Sequence, residues 1–299
     1  MDRFHLMQVF VGVVEEQGFA AAARRLELSP PAVTRAIAAL EDHLGVKLLN
    51  RTTRHVRPTE AGVRYLEDVR RILVDVEAAD EAAAGINAEP HGHLTVTAPV
   101  LFGKMFVIPG IIKYLDQYPD MEVSSIFLDR VVSLLEEGLD VGVRIGDLPD
   151  SSMRALRVGS VRMILVATPS YLDKAGVPHS PNELPSHKTI SSSAGSHNTG
   201  WRFHREERDY TQSLQPRLST NTNDSAIAAC LAGMGITRVL SYQVAPELAA
   251  GKLTTVLENY QPPPNPIHIV HREGRYSSAK VRAFIDLLAA YLRADKALN

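Results

Sequence analysis

A chain of 299 residues has the length of about two domains, each able to bury a core of its own. Its 45% hydrophobic and 22% charged residues are ordinary for a globular protein, and no apolar run reaches the roughly 18 residues a membrane span requires. A single cysteine excludes an intrachain disulfide and a thiolate metal cluster, and a net charge of −2 argues against a lone nucleic-acid-binding domain.

The charge is unevenly spread, however. Between Lys47 and Arg57 lie Arg51, Arg54 and His55 with no acid among them. The start, Met1-Asp2-Arg3-Phe4-His5, leads into an amphipathic pattern with Glu15 and Glu16 rather than a signal peptide's apolar stretch, so a cytoplasmic protein is expected. Met7, Phe10, Val11 and Val14 recur at helical spacing, and Gly18 breaks that helix. The alanine-rich run from Phe19 to Leu26 predicts a second helix that packs closely. Ser29 is a good N-cap, and Pro30 and Pro31 follow where a first turn tolerates proline. The third helix then runs to about Leu44 and stops at Gly45.

At about 100° per residue, Val33, Ile37, Leu40 and Leu44 of this third helix form one buried stripe. Arg35 lies nearly opposite, beside Pro31, Ala38 and Asp42, with Thr34 at the edge. Such a face is small except for one donor fork, as a helix entering a DNA major groove requires. An ordinary surface helix with a solvated arginine would look the same. The run from Leu48 to Arg57 decides between them: it reads as two short strands around a polar tip, a wing whose arginines can grip a phosphate backbone.

Phe10, Gly18 to Leu26, Leu28 to Ile37, Leu40-Glu41, Leu44 to Leu49, Arg51, Arg54, Val56 and Pro58 to Gly62 together resemble, in type and spacing, the N-terminal region of LysR-type transcriptional regulators. The resemblance implies a winged helix-turn-helix over 1–58, a dimerising linker helix over 59–87 and a two-lobed, periplasmic-binding-protein-like α/β effector domain over 92–299. It implies that Ser29, Pro31, Ala32, Thr34 and Arg35 face bases or phosphates of double-stranded DNA. Arg51 and Arg54, with Thr52 between them, would contact the backbone from the wing. Many members carry glutamine where Pro30 stands. Pro30 cannot hydrogen-bond a base edge, so readout there would rest on contact or shape.

From Thr59 to about Ile86 the composition stays helical, and Leu66, Val69, Leu73 and Val76 repeat by three and four like a coiled-coil seam, which Asp80 and Ala83 weaken. Pairing with a twin helix suits this seam better than packing along the effector domain, giving a homodimer that the family would extend to a tetramer. The stretch from Asn87 to Gly92 marks a hinge. His91 and His93 alone are too few for a metal site.

Beyond Leu94 strands and helices alternate, which argues for a mostly parallel sheet. Strands are expected at 94–98, 121–127, 139–144, 163–167 and 267–270, with further extended segments near 191–193 and 201–203. Helices are expected at 102–118, 131–137, from Pro169, at 224–232 and at 277–292. The resemblance adds the pairing of lobes, about 92–161 with 267–299 and about 162–266. Ligands of open α/β sheets sit beyond the carboxyl ends of strands. The candidate effector-binding residues are therefore Pro99, Val100, Leu101 and Phe102 after the first strand, Leu128 after another, Arg144, Ile145 and Gly146 after a third, and Asn221 and Thr222 before a helix. Many relatives hold a carboxylate with Ser or Thr where Pro99 and Val100 stand, so that anchor is missing. Arg144 offers an anion clamp or a surface or lobe-bridging ion pair, and Trp201 offers a pocket cover or a core residue. Cys230, among small apolar neighbours, reads as a buried hydrophobe.

Catalysis finds little support. Gly233-Met234-Gly235 lacks the third glycine of a dinucleotide loop, the run from Gly195 to Gly200 lacks G-x-S-x-G spacing, and no H-E-x-x-H occurs. The sequence thus describes a DNA-binding regulator, not an enzyme, tuned by a small-molecule effector, with neither cofactor nor metal nor membrane as partner. A repressor or architectural protein that ignores small molecules would share its DNA-binding residues.

Overall fold

The computed structural model describes residues 2–51, 56–84, 89–148, 153–192, 200–206, 208–272 and 278–298, with the backbone alone at 51, 74, 75 and 77–84. The chain divides into two units, residues 1–88 with 274–278, and residues 89–273 with 279–299.

In the first unit Asp2 accepts from the Phe4 amide and starts α1 (Arg3–Glu15), and α2 (Phe19–Arg25) follows Gly18. The Ser29 hydroxyl accepts from the Ala32 amide at 3.3 Å to cap α3 (Pro30–Leu44), and Gly45 ends it at φ +68°, where a side chain would be strained. Leu6, Val9, Phe10 and Val13 of α1 close a core with Ala22 and Ala23 of α2 and with Val33, Ile37 and Leu40 of α3. Each large member of that core contributes about 1.5–3 kcal/mol by its burial.

The antiparallel pair β1 (Leu49–Arg51) and β2 (Val56–Pro58) builds the wing, with Leu49 opposite Pro58. Thr59 then starts α4 (Glu60–Ala84): its hydroxyl accepts from the Gly62 amide at 2.9 Å and donates to the Lys47 carbonyl at 2.8 Å. A Cβ on Gly62 would fall 2.0 Å from the Leu48 carbonyl oxygen, so this close approach requires glycine. Part of the expected coiled-coil seam is already used within the chain. Val69 is buried, Tyr65 and Leu66 pack on the same core, and the rings of Phe10 and Tyr65 lie 5.6 Å apart. Val63 and Ile72 remain exposed on α4.

The second unit runs through β3 (Gly92–Ala98), α5 (Val100–Phe102), a π-helical turn at Gly103–Val107, α6 (Ile108–Gln117), β4 (Met121–Phe127), β5 (Val141–Ile145), β6 (Met153–Val161), β7 (Met163–Ala167), α7 (Pro169–Ala175) and β8 (Thr189–Ser192). It continues through β9 (Gly200–Arg205), β10 (Arg208–Ser213), β11 (Leu218–Thr220), α8 (Asn223–Leu231), β12 (Ile236–Leu240), α9 (Ala245–Ala249), β13 (Thr254–Val256), β14 (Asn265–Arg272) and α10 (Ala279–Ala294). Two five-stranded sheets result, β4-β3-β5-β14-β6 and β11-β8-β12-β7-β13, with β9 and β10 as a separate hairpin.

These sheets correct the expectation of mostly parallel pairing. In each, the first three strands pair in parallel and the last two are joined by antiparallel pairing. The chain crosses from one lobe to the other at β6–β7 and returns at β14, and a strand arriving from the other lobe enters reversed. The expected helix at 131–137 is instead a set of turns, because Gly138 at φ +64° stops it after one turn, too short to propagate. The long strand β6 escapes a reading by period because a bulge at Val158, opposite the Ile267–His268 step, breaks its alternation.

Candidate functional site

On α3 the buried stripe fixes what faces outward. Ser29, Pro30, Pro31, Thr34 and Arg35 are all exposed and Ala32 is partly so. Thr34 donates to the Pro30 carbonyl at 3.1 Å, which holds it against the helix. Arg35 makes no hydrogen bond or ion pair among the described residues, so its fork is available to a phosphate or a guanine edge. Arg51 lies on β1, while its side chain, Thr52 and Arg54 lie outside the described residues.

Sequence reasoning gave no role to Glu41, which joins this helix to the wing. Its carboxylate is 2% exposed and accepts from Lys47 Nζ at 2.7 Å and from the amides of Leu48 and Leu49 at 2.9 and 3.2 Å. Burial pushes its pKa up, but these donors outweigh burial and hold it below the ordinary carboxylate range.

In the second unit the candidate effector residues divide. The Val100 amide donates to Asp129 at 3.0 Å, and Leu101 packs against the cores of both lobes. Pro99 precedes this turn as the residue ahead of α5. Phe102 is a correction: it is fully buried in the lobe's core, with its ring 4.9 Å from Phe106 and 5.4 Å from Tyr242, so it packs rather than lining a ligand site. Arg144 is another, since its guanidinium donates to the Val132 carbonyl within its own lobe and neither bridges lobes nor stands free. Burial pulls its pKa down, partly offset by Glu137. Leu128 packs on the small cluster of Val132, Leu134, Leu139 and Val270, Ile145 packs on the main core, and the Gly146 amide donates to the Pro266 carbonyl. Thr222 caps α8 and Asn221 is exposed beside it.

Trp201 is 3% exposed and belongs to the lobe's core, yet its edge also lines a cavity of about 190 Å³. This cavity lies where β8 and β12 end and α8 and β7 begin. Its polar lining is Ser191, Ser192, Asn223, Arg238 and Gln243, and its apolar lining includes Met163, Ile190, Val239 and Leu240. The signal for Arg238 was present in the sequence: it is the one charge in the strand Ile236-Thr237-Arg238-Val239-Leu240. Cys230 is buried, donates weakly to the Val166 and Gly235 carbonyls, and has its pKa raised to about 11 by burial, so it packs rather than reacts. Among the described residues no helix is long and apolar enough to cross a membrane, and no group of three His, Cys, Asp or Glu is placed to hold a metal ion.

A winged helix-turn-helix joined by a long helix to a two-lobed α/β fold defines a transcription regulator with a ligand-binding half. Similarity to known proteins sharpens that class. Residues 4–63 match the family model of the bacterial regulatory helix-turn-helix protein, lysR family, and residues 87–293 match that of the LysR substrate binding domain. The chain belongs to the LysR family of transcriptional regulators. The HTH-type transcriptional activator AaeR of Escherichia coli strain K12 is 33% identical over 291 residues, covering 97% of this chain and 94% of its own. The HTH-type transcriptional repressor PA14_22550 of Pseudomonas aeruginosa is 33% identical over 289 residues, covering 96% and 91%. The solved structure of CrgA, a LysR-type regulator from Neisseria meningitidis, matches at a TM-score of 0.60 and 30% identity, covering 96% and 98%. These relatives are regulators, not enzymes, and this chain is a DNA-binding transcription regulator with an effector-binding domain.

Proposed function

We propose that the protein works in the cytoplasm as a homodimer joined through α4, able to assemble to a tetramer, and that a small-molecule effector resets the geometry of its paired DNA readers. Residues 1–58 read DNA, 59–87 pair the readers, and 92–299 sense the ligand through lobes of about 92–161 with 267–299 and about 162–266. The α3 face from Ser29 to Arg35 enters the major groove, and Arg51, Thr52 and Arg54 hold the backbone from the wing. The effector enters at the mouth between the lobes, beside Pro99, Val100, Leu101, Asn221 and Thr222, without the hydroxyl anchor that many relatives carry at the first two of these positions. A ligand that binds the closed and open lobes unequally shifts that equilibrium, and hence the spacing of the readers.

The observation that carries this reading is the outward face of α3, small throughout except for an Arg35 that has no partner among the described residues. Footprinting and competition binding test it. Arg35→Ala should cost about 1–3 kcal/mol at specific sites and little at random sequence, whereas Arg51→Ala and Arg54→Ala should weaken both and lower the salt slope by about one each. Equal loss at specific and random DNA for Arg35→Ala would remove α3 from base readout.

A further inference from the structure

The cavity of the second lobe holds a charge that no described residue neutralises. Arg238 is half-buried, and its guanidinium lies 5.7 Å from the centroid of the Trp201 ring. It makes no side-chain hydrogen bond and no ion pair among the described residues. None of the described residues lining the cavity is acidic. Asp224, next in sequence to the cavity's Asn223, is engaged by Thr222 and by the Ser225 amide at 2.9 Å. The segment 193–199, which joins β8 to β9, contains neither aspartate nor glutamate. The charge that acts most on Arg238 is a second cation, Arg202, which adds to burial in pulling the pKa of Arg238 down to about 10. The side chain is still protonated at neutral pH. Even a half-buried cation without a counter-ion carries a desolvation cost that an incoming anion would offset.

The rest of the lining says what that counter-ion looks like. Ser192 donates to Asn223 Oδ1 at 2.5 Å, and the Asn223 amide nitrogen and the Ser191 hydroxyl are both uncommitted among the described residues. Two neutral donors therefore stand beside one planar fork, a set that suits the two oxygens of a carboxylate. Inorganic phosphate could use these donors but would leave the cavity's apolar wall uncovered. Met163, Ile190, Val239 and Leu240 give the remaining wall an apolar surface for an organic body. We infer that this cavity binds a small organic monocarboxylate whose anionic end docks on Arg238, with Asn223 and Ser191 as supporting donors. The inference rests on the ligand-sensing role proposed above for this half of the chain and names its ligand class. It also answers the loss of hydroxyls at Pro99 and Val100: the anion is held from the opposite lobe.

Trp201 is the single tryptophan of the chain, so its fluorescence reports on this lobe and on the cavity it edges. The full-length protein, without DNA, is titrated with benzoate and with aliphatic monocarboxylates, with benzamide as the uncharged counterpart and with inorganic phosphate. The expected result is a saturable change of Trp201 emission and a raised Tm with at least one carboxylate, and binding about 100-fold weaker for benzamide and phosphate. Arg238→Leu, which suits an apolar strand, should lose the carboxylate response while keeping the Tm of the unliganded protein, and Arg238→Lys should keep part of it. Benzamide or phosphate binding as tightly as the carboxylates would overturn the inference, as would a full response in Arg238→Leu or no response to any carboxylate. Footprinting separates the two readings. Carboxylate binding that leaves the footprint unchanged removes the proposed coupling and keeps the site, while a footprint altered only by uncharged ligands does the reverse.

Discussion

Arg144 and Arg238 stand on the middle strands of the two lobes, β5 and β12, each parallel to one neighbour and antiparallel to the other. Their surroundings differ. Arg144 is closed off by the Val132 carbonyl and feels Glu137, so its charge serves its own lobe. Arg238 has an aromatic face and nearby polar side chains but, among the described residues, no acceptor and no acid. The same residue type at the same place in two like sheets is structural in one and available in the other. A buried charge signals a binding role only when its partners have been counted and found missing.

Three substitutions put this contrast to the test, and a third buried charge sets its upper end. Glu41 is the most fully satisfied, so Glu41→Ala should cost most, about 3 kcal/mol, because it strands the amides of Leu48 and Leu49. Its folded pKa lies below the ordinary carboxylate value, so its contribution is fully present above that value and is lost as pH falls through it toward the folded pKa. Urea unfolding of residues 1–88 within the full chain, followed from about pH 7 to about pH 3, should show an acid limb that Glu41→Ala flattens. An unchanged limb would mean that the carboxylate is not what ties α3 to the wing.

Arg144→Met should cost less, about 1–2 kcal/mol, since one carbonyl loses its donor while the stem's packing is kept. A Tm equal to that of the parent would erase the difference between the two arginines. The smallest effect belongs to Arg238→Leu without ligand, where the lost ring contact and the removed desolvation cost oppose each other and leave a net change of less than about 1 kcal/mol, so the Tm stays close to that of the parent. Marked destabilisation of that variant would mean that Arg238 has a structural role after all.

Much of the fold was legible in the sequence where local rules act alone. Ser29, Pro30, Pro31 and Gly45 mark both ends of α3 because capping depends on a few adjacent residues. The outward position of Arg35 follows from helical period. The features that stayed hidden depend on distant partners. The bulge at Val158 is set by β14, far along the chain, and the reversal of β7 and β14 by the path between lobes. Phe102 and Arg144 sit at the right ends of strands but are taken up by Tyr242 and Val132, which position along the chain does not show. The α4 stripe had the period of a seam, yet Val69 is buried within its own chain, and Tyr65 and Leu66 pack on the core of α1.

The crossing between lobes has a practical consequence. Val161, the last residue of β6, is paired in register with Asn265, the first of β14, and Ser160 is paired with Pro266. The segment 162–264 therefore leaves and re-enters the first sheet at neighbouring points, about 5 Å apart as antiparallel strands are. Topologically it is an insert, attached like a cartridge through two adjacent contacts. Exchanging it between relatives would move Trp201, Asn223 and Arg238 together as one cassette, leaving the first sheet's middle strand and the DNA-reading unit as they are. Ligand preference could then diversify by recombination at one junction instead of by many point changes.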